Sequence, residues 1–203
     1  MFHVKQLEKQ ILPAKKLLES YMLLIKKWQK AVNLVSNTEI NSLWERHILD
    51  SAQVFFEIPK EARILIDMGS GGGFPAVVVA ILNKVLNGHL TKIVLIESDN
   101  KKSIFLKEVS RILDLNLIVL NERIERIKGI SADVITARAL ASTDMLLEWG
   151  REFYKNDTIF LFLKGKLVDD ELSLIPYSCN ISKLNSKIDK DGCVLKITEV
   201  AYK

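Results

Sequence analysis

Asp67-Met68-Gly69-Ser70-Gly71-Gly72-Gly73-Phe74-Pro75 is the stretch whose residue types and spacing point most directly to chemistry. It follows a short β-type run, Ile64–Met68, and leads into an apolar helical segment from about Pro75. Four glycines in five positions let the backbone turn sharply and come close to a ligand. Pro75 suits the first turn of a helix. No Lys-Ser or Lys-Thr pair follows at the spacing a P-loop requires. Gly71, Gly73 and Ala76 satisfy a loose dinucleotide pattern, but a carboxylate at Asp67 would repel a diphosphate. The same carboxylate would attract a ligand carrying an ammonium and a sulfonium, which describes S-adenosylmethionine. Glu97 ends the next strand-like run, Lys92–Ile96, where an acid can bond ribose hydroxyls of either cofactor, so it does not discriminate.

If the ligand is a methyl donor, the acceptor dictates what else is needed. Exocyclic amino groups on bases usually call for an Asn/Asp-Pro-Pro-aromatic clamp, and the four prolines here, at 13, 59, 75 and 176, include no Pro-Pro pair. Carbon-5 of a pyrimidine needs a cysteine nucleophile. Cys179 and Cys193 lie at or near a terminal hairpin and read as small hydrophobes. They are also too few for a disulfide scaffold and lack the spacing of a zinc site, so no metal is expected. Guanine N7 is different: it is a free acceptor with no proton to remove, and needs positioning more than a general base. A clear donor loop without a clear base suits that case.

The elements that must hold these residues alternate. Beyond a turn at Pro59-Lys60-Glu61, strand-like runs at Ile64–Met68, Lys92–Ile96, Leu117–Leu120, Val134–Thr136 and Ile159–Leu163 are separated by helical patterns from about Pro75, over Lys101–Leu113 and over Leu140–Tyr154. Such alternation predicts an α/β fold with a doubly wound, mainly parallel sheet. Ile181–Ile188 and Val194–Ala201, joined by Asp189-Lys190-Asp191-Gly192, predict a terminal antiparallel hairpin. Two helical segments precede the sheet, about 3–31 and 38–56, with Asn37 or Thr38 as a cap for the second. Residues 1–60 are therefore expected to form a helical extension packed on a domain of residues 61–203.

The 203 residues are 48% hydrophobic and 27% charged, which excludes a disordered or fibrous chain. The net charge of +4 is unevenly spread: residues 1–31 carry seven lysines and two acids, and the rest of the chain sums to −1. Leu17, Tyr21, Leu24 and Trp28 form one apolar helical stripe there, with Leu18, Met22 and Ile25 beside it. The lysines on the other faces can attract backbone phosphates without reading sequence. The longest strictly apolar run, Ala76–Leu82, is far short of the roughly 20 residues that span a bilayer. A soluble protein of the cytoplasm is the expectation.

Asn33-Leu34-Val35-Ser36, Glu45-Arg46-His47-Ile48-Leu49-Asp50-Ser51, the loop Asp67–Pro75, Lys102-Ser103-Ile104-Phe105-Leu106, Arg123-Ile124-Glu125, Ile135-Thr136-Ala137-Arg138-Ala139 and Leu163-Lys164-Gly165 occur in that order. The series resembles the ribosomal RNA small subunit methyltransferase G family, also called glucose-inhibited division protein B, over nearly the whole chain. The resemblance implies a class I, Rossmann-like methyltransferase that uses S-adenosylmethionine to methylate N7 of one guanine in 16S ribosomal RNA, conventionally numbered 527. It implies that Gly69 and Phe74 line the cofactor, that Ile124 and Glu125 flank its adenine, that Arg138 reaches its carboxylate side and that Glu97 falls at the ribose-binding acid. Asp67 and Gly71, read from the loop itself, complete the expected donor site. Lys16, Lys27, Arg46, His47, Arg123 and Lys164 are candidates for RNA contact; Arg123, Arg138 and Lys164 are also candidates for positioning. The implied partner is 16S ribosomal RNA or a small-subunit particle, met by a monomer. The chain departs from the family at Ala76-Val77-Val78-Val79, where Gly-Ile-Pro-Leu is common. Other readings stay open: a methyltransferase of the same fold acting on a protein or small molecule, a non-catalytic RNA-binding protein, or a nicotinamide oxidoreductase.

Overall fold

Runs of β-branched and aliphatic residues too short for helices make the parallel strands, and their near-continuous apolarity reflects helices on both sheet faces. The computed structural model describes residues 2–36 and 38–202, with every side chain of these except those of Phe2 and His3. In chain order the elements are α1 (Phe2–Ile11), α2 (Lys15–Trp28), α3 (Asp50–Glu57), β1 (Ile64–Met68), α4 (Ala76–Val85), β2 (Lys92–Ile96), α5 (Asn100–Ile112), β3 (Leu117–Leu120), β4 (Val134–Arg138), α6 (Thr143–Gly150), β5 (Ile159–Lys164), α7 (Val168–Leu172), β6 (Asn180–Asn185) and β7 (Cys193–Thr198). The sheet order is β3-β2-β1-β4-β5-β7-β6. Strands β1 to β5 are parallel, β7 runs antiparallel to β5, and β6 antiparallel to β7. Strand order reverses between β1 and β4, so the crevice beyond their carboxyl ends is where a ligand belongs.

Two apolar layers flank the sheet. Leu161 of β5 faces a core built with α1 to α5, whereas Phe160 and Phe162 face one built with α6 and β7. The N-terminal helices contribute Leu7, Ile11, Leu18, Tyr21 and Ile25, all wholly buried, to the same core as Val77 and Val78 of α4.

Several helical boundaries differ from the sequence pattern. The first segment breaks into α1 and α2 at a 3-10 turn, Leu12–Ala14, because Pro13 has no N–H to continue the ladder. The segment expected at 38–56 is a 3-10 turn at Ile40–Ser42, a π-turn at Trp44–Leu49 and then α3. Asn37 lies outside the described residues. No side-chain cap starts that 3-10 turn; Ser36 instead bonds Thr38 Oγ1 at 3.1 Å and Glu39 Oε2 at 2.6 Å. Within Leu140–Tyr154, only Thr143–Gly150 is α-helical, followed by a 3-10 turn at Arg151–Phe153. Helix α7, in a charged stretch with too few apolar residues to show a period, had no sequence signal. Ala76–Val79 are all fully buried and begin α4 regularly, so β-branching there is accommodated.

Candidate active site

The site starts at the end of β1. Asp67 pairs in register with Thr136 of β4, whose hydroxyl donates to Asp67 Oδ1 at 2.6 Å. The carboxyl is wholly buried, and its Oδ2 has no hydrogen-bond partner. Burial, reinforced by the nearby Glu97 charge, outweighs the hydrogen bonds from Ser70 and Thr136 and pushes its pKa up to about 7.

The glycine turn covers this carboxyl. Gly69 has φ +64°, and a Cβ there would meet Leu140 Cδ1 at 2.5 Å, so both backbone and space demand glycine. The Ser70 amide donates to the Ile96 carbonyl at 3.0 Å, and the Gly71 amide to Glu97 Oε2 at 2.7 Å. Glu97 Oε1 accepts the Asp99 amide at 2.8 Å. This buried acid thus ties the ends of β1 and β2 together while facing the cavity beside them.

That cavity measures about 490 Å³ and opens at the carboxyl ends of β1, β2 and β4. Gly69, Gly71, Phe74, Glu97, Ile124, Glu125 and Arg138, seven of the eight residues expected at the donor, line it. Asp67, the eighth, is placed beneath the turn instead of in the wall. Arg138 is the hub of the far wall. Its Nη2 donates to the Arg46 carbonyl at 2.7 Å, and its Nη1 lies 3.8 Å from Asp50 Oδ2 without a hydrogen bond. Its guanidinium carbon stands 5.9 Å from the Phe74 ring centroid. Burial lowers the Arg138 pKa, but a guanidinium remains charged at any working pH.

The residues expected to meet RNA divide. Lys16 and Lys27 are exposed on α2. Arg123 is exposed at the cavity rim, with Nη2 3.6 Å from Glu125 Oε1, and exposed Arg46 pairs with Asp189 at 2.5 Å. His47 is only 5% exposed and forms part of the cavity wall, its ring 4.6 Å from that of Phe74. Burial and then the Arg138 charge depress its pKa to about 4, against the opposing pull of Glu39, so it is neutral at pH 7 and presents no cation to phosphate. Lys164 is likewise withdrawn. Its Nζ is 2.5 Å from Glu171 Oε2 and donates to the Ala141 carbonyl at 2.9 Å. The partner comes from α7, the helix without a sequence signal. Burial opposes the Glu171 charge, yet the Lys164 and Thr143 hydrogen bonds prevail and hold its carboxyl below the usual range.

Sequence patterning placed Tyr21 only in a core stripe and Thr136 only in a strand. Their polar tips meet the site's backbone and its acid, contacts between distant residues that periodicity cannot reveal.

The buried polar atoms left without partners test whether a methyl donor fits. Asp67 Oδ2, Arg138 Nη1 and both ring nitrogens of His47 lack hydrogen bonds. An acid near the turn suits an ammonium and a sulfonium, a guanidinium across the cavity suits a carboxylate, and Glu97 lies by the second strand for ribose hydroxyls. Among solved structures, the fold resembles the O-methyltransferase from Bacillus cereus in complex with SAH, with TM-score 0.57 and 16% identity over 88% of this chain and 90% of that one. It also resembles the ribosomal protein L11 methylase from Lactobacillus delbrueckii subsp. bulgaricus, with TM-score 0.60 and 12% identity over 76% and 78% of the two chains.

The fold is that of the class I S-adenosylmethionine-dependent methyltransferases. The sequence profile of the rRNA small subunit methyltransferase G family matches residues 14–191. The chain is 45% identical over 182 residues to Ribosomal RNA small subunit methyltransferase G of Parvibaculum lavamentivorans, covering 88% of this chain and 80% of the relative. Against the protein of that name from Paramagnetospirillum magneticum it is 41% identical, covering 91% and 88%. The chain belongs to the rRNA small subunit methyltransferase G family. Among the described residues, no helix is long and apolar enough to cross a membrane.

Proposed function

We propose that this enzyme transfers the methyl group of S-adenosylmethionine to N7 of a single guanine in 16S ribosomal RNA, the one conventionally numbered 527. The observation that carries the choice of acceptor is the protonation chemistry of the cavity wall. His47 has its pKa held near 4, which makes it a weak base. Arg138 is cationic, Glu97 is engaged with two backbone amides, and Asp67 lies beneath the turn. None is poised to take a proton from an acceptor, and N7 of guanine has none to give.

S-adenosylmethionine supplies an electrophilic methyl group on sulfur when bound. The chain's own residues bind and orient. Asp67 and the turn from Gly69 favour the cationic end of the donor, and Arg138 its carboxylate. Glu97 takes the ribose, while Ile124 and Glu125 flank the adenine. A guanine that gains positive charge at N7 would be opposed by a bare guanidinium; Asp50 and Glu39 facing Arg138 offset that repulsion. Exposed Lys16, Lys27, Arg46 and Arg123 position the RNA through its phosphates. Lys164 acts in this reading through its pair with Glu171, shaping the rim of a second cavity of about 400 Å³. The substrate is 16S ribosomal RNA or a small-subunit particle, met in the cytoplasm by a monomer.

The test is transfer of tritiated methyl from labelled donor to 16S ribosomal RNA from a strain lacking this gene. Nuclease digestion and mass spectrometry should find one 7-methylguanine. Label that resists ribonuclease and travels with protein would favour a protein acceptor, and label at another RNA atom would overturn the choice of N7.

A further inference from the structure

We infer that helix α2 and its C-cap carry two positioning residues for the donor site, Tyr21 and Gln29, which hold two segments of the cavity wall from behind. Tyr21 belongs to an apolar stripe with Leu18 and Ile25, all wholly buried, where phenylalanine would fill the same space. A buried hydroxyl is costly unless it is bonded. This one donates to the Gly72 carbonyl at 2.5 Å. The fit is mutual: a Cβ on the next residue, Gly73 (φ +96°), would stand 2.7 Å from the Tyr21 hydroxyl oxygen. The Tyr21 ring also packs 5.5 Å from Phe74, which faces the cavity. Burial and the neighbouring Asp67 charge raise the Tyr21 pKa, so the phenol stays a donor.

Gln29, at the end of the same helix, takes hold of the other segment. Its Oε1 accepts the amides of Leu34 and Val35 at 3.0 and 3.2 Å, and its Nε2 donates to the Val35 carbonyl at 2.7 Å. Leu34, Val35 and Ser36 line the same donor cavity as Gly69–Gly72. The two segments touch, since a Cβ on Gly72 would lie 2.9 Å from the Leu34 carbonyl oxygen. One helix therefore sets the spacing between two walls, through three side-chain-to-backbone bonds on one and a single bond on the other. Neither residue contacts the reacting atoms.

Tyr21→Phe removes one oxygen and keeps the ring; Gln29→Leu removes the second grip. Ile25→Val is the control, a loss of core packing in the same helix without a link to the cavity wall. Donor affinity is measured by calorimetry with S-adenosylmethionine and no RNA, so the outcome does not depend on which acceptor is methylated. Hydrogen exchange of the amides at 70–73 and 34–35 is followed in the ligand-free enzyme, together with the melting temperature. Tyr21→Phe should weaken donor binding about 5- to 10-fold, the scale of one lost buried hydrogen bond. Gln29→Leu, which removes three bonds to backbone, should weaken it at least as much, and each should speed exchange in the segment it holds. Ile25→Val should lower the melting temperature and leave donor affinity unchanged. Affinities within about twofold of wild type for both variants, or an equal loss in Ile25→Val, would overturn the inference. Should one variant fail to accumulate, the other decides by the same criteria.

Discussion

Replacing Asp67 by asparagine should make the ligand-free enzyme increasingly stable relative to wild type as pH rises, while weakening its grip on the donor. The carboxyl's pKa moves from 3.8 in the unfolded chain to about 7 in the fold, chiefly through burial. A raised native pKa means the folded state binds the proton more tightly. The stability this confers is complete below pH 3.8 and is lost as pH rises through about 7. At 1.36 kcal/mol per unit, the full loss is roughly 4 kcal/mol, of which about 2 to 3 falls between pH 5 and pH 8. Asparagine keeps an oxygen for the Thr136 hydroxyl and does not titrate. The stability of Asp67→Asn relative to wild type should thus rise by about 2 to 3 kcal/mol between pH 5 and pH 8, or about 5 to 10 °C for a chain of this size. Differential scanning fluorimetry at several pH values reads the change, with calorimetry checking that donor affinity falls more than about tenfold at pH 8. A melting difference that stays the same from pH 5 to pH 8 would show that Asp67 titrates as an ordinary carboxyl, and would remove the electrostatic basis for its role.

Gly69→Ala forces a left-handed backbone and drives a Cβ into Leu140, so it should cost about 1 to 3 kcal/mol of stability and weaken donor binding, read by thermal melting and calorimetry. Glu171→Ala strands the Lys164 ammonium, whose side chain is 8% exposed, and should destabilise by about 3 to 5 kcal/mol in urea titrations. Lys164→Met with Glu171→Leu should recover only part of that loss, because the buried Thr143 amide and hydroxyl also lose their acceptor. Lys16→Ala with Lys27→Ala should lower the salt slope of RNA binding by about 1.5, the release of two counterions from single-stranded RNA, without altering donor affinity in the absence of RNA. An unchanged slope would place the RNA elsewhere.

What the sequence made legible is what is local. The turn from Asp67 to Pro75 is contiguous, and its glycines announce a backbone that other residues could not adopt. Strands β1, β2, β4 and β5 announce themselves because each is buried on both faces. Less legible were features set by partners distant in sequence. His47 sits in a motif rich in charge, and only the fold shows that its ring is sealed against Phe74 and near Arg138. Lys164 reads as a free cation at a strand end until Glu171 arrives from a short helix without periodicity. Apolar spacing continues through Pro13 and so predicts one long first helix, whereas the effect of the proline lies in the backbone. Patterns of burial come from the composition of one segment, whereas ion pairs depend on two.

The same distinction explains why unpaired polar groups gather near the cavity. Seven buried side-chain atoms among the described residues have no hydrogen-bond partner, and four of them belong to Asp67, His47 and Arg138. Each such atom costs about 1 to 3 kcal/mol. A fold selected for stability alone would pair or replace them, as it pairs Thr158, whose buried hydroxyl bonds the Ala132 carbonyl at 2.6 Å. His47 and Arg138 in the cavity wall and Asp67 beneath the adjoining turn thus hold polar groups in position where a charged, polar ligand binds. Such preorganisation lowers the reorganisation needed on binding. It also makes the bound form the more stable one, because a ligand that binds only the folded state stabilises it in proportion to the logarithm of its concentration over Kd. The acid under the turn, the neutral imidazole and the guanidinium across from them are therefore better understood as one electrostatic cradle than as separate contacts, with α2 holding the backbone that frames it.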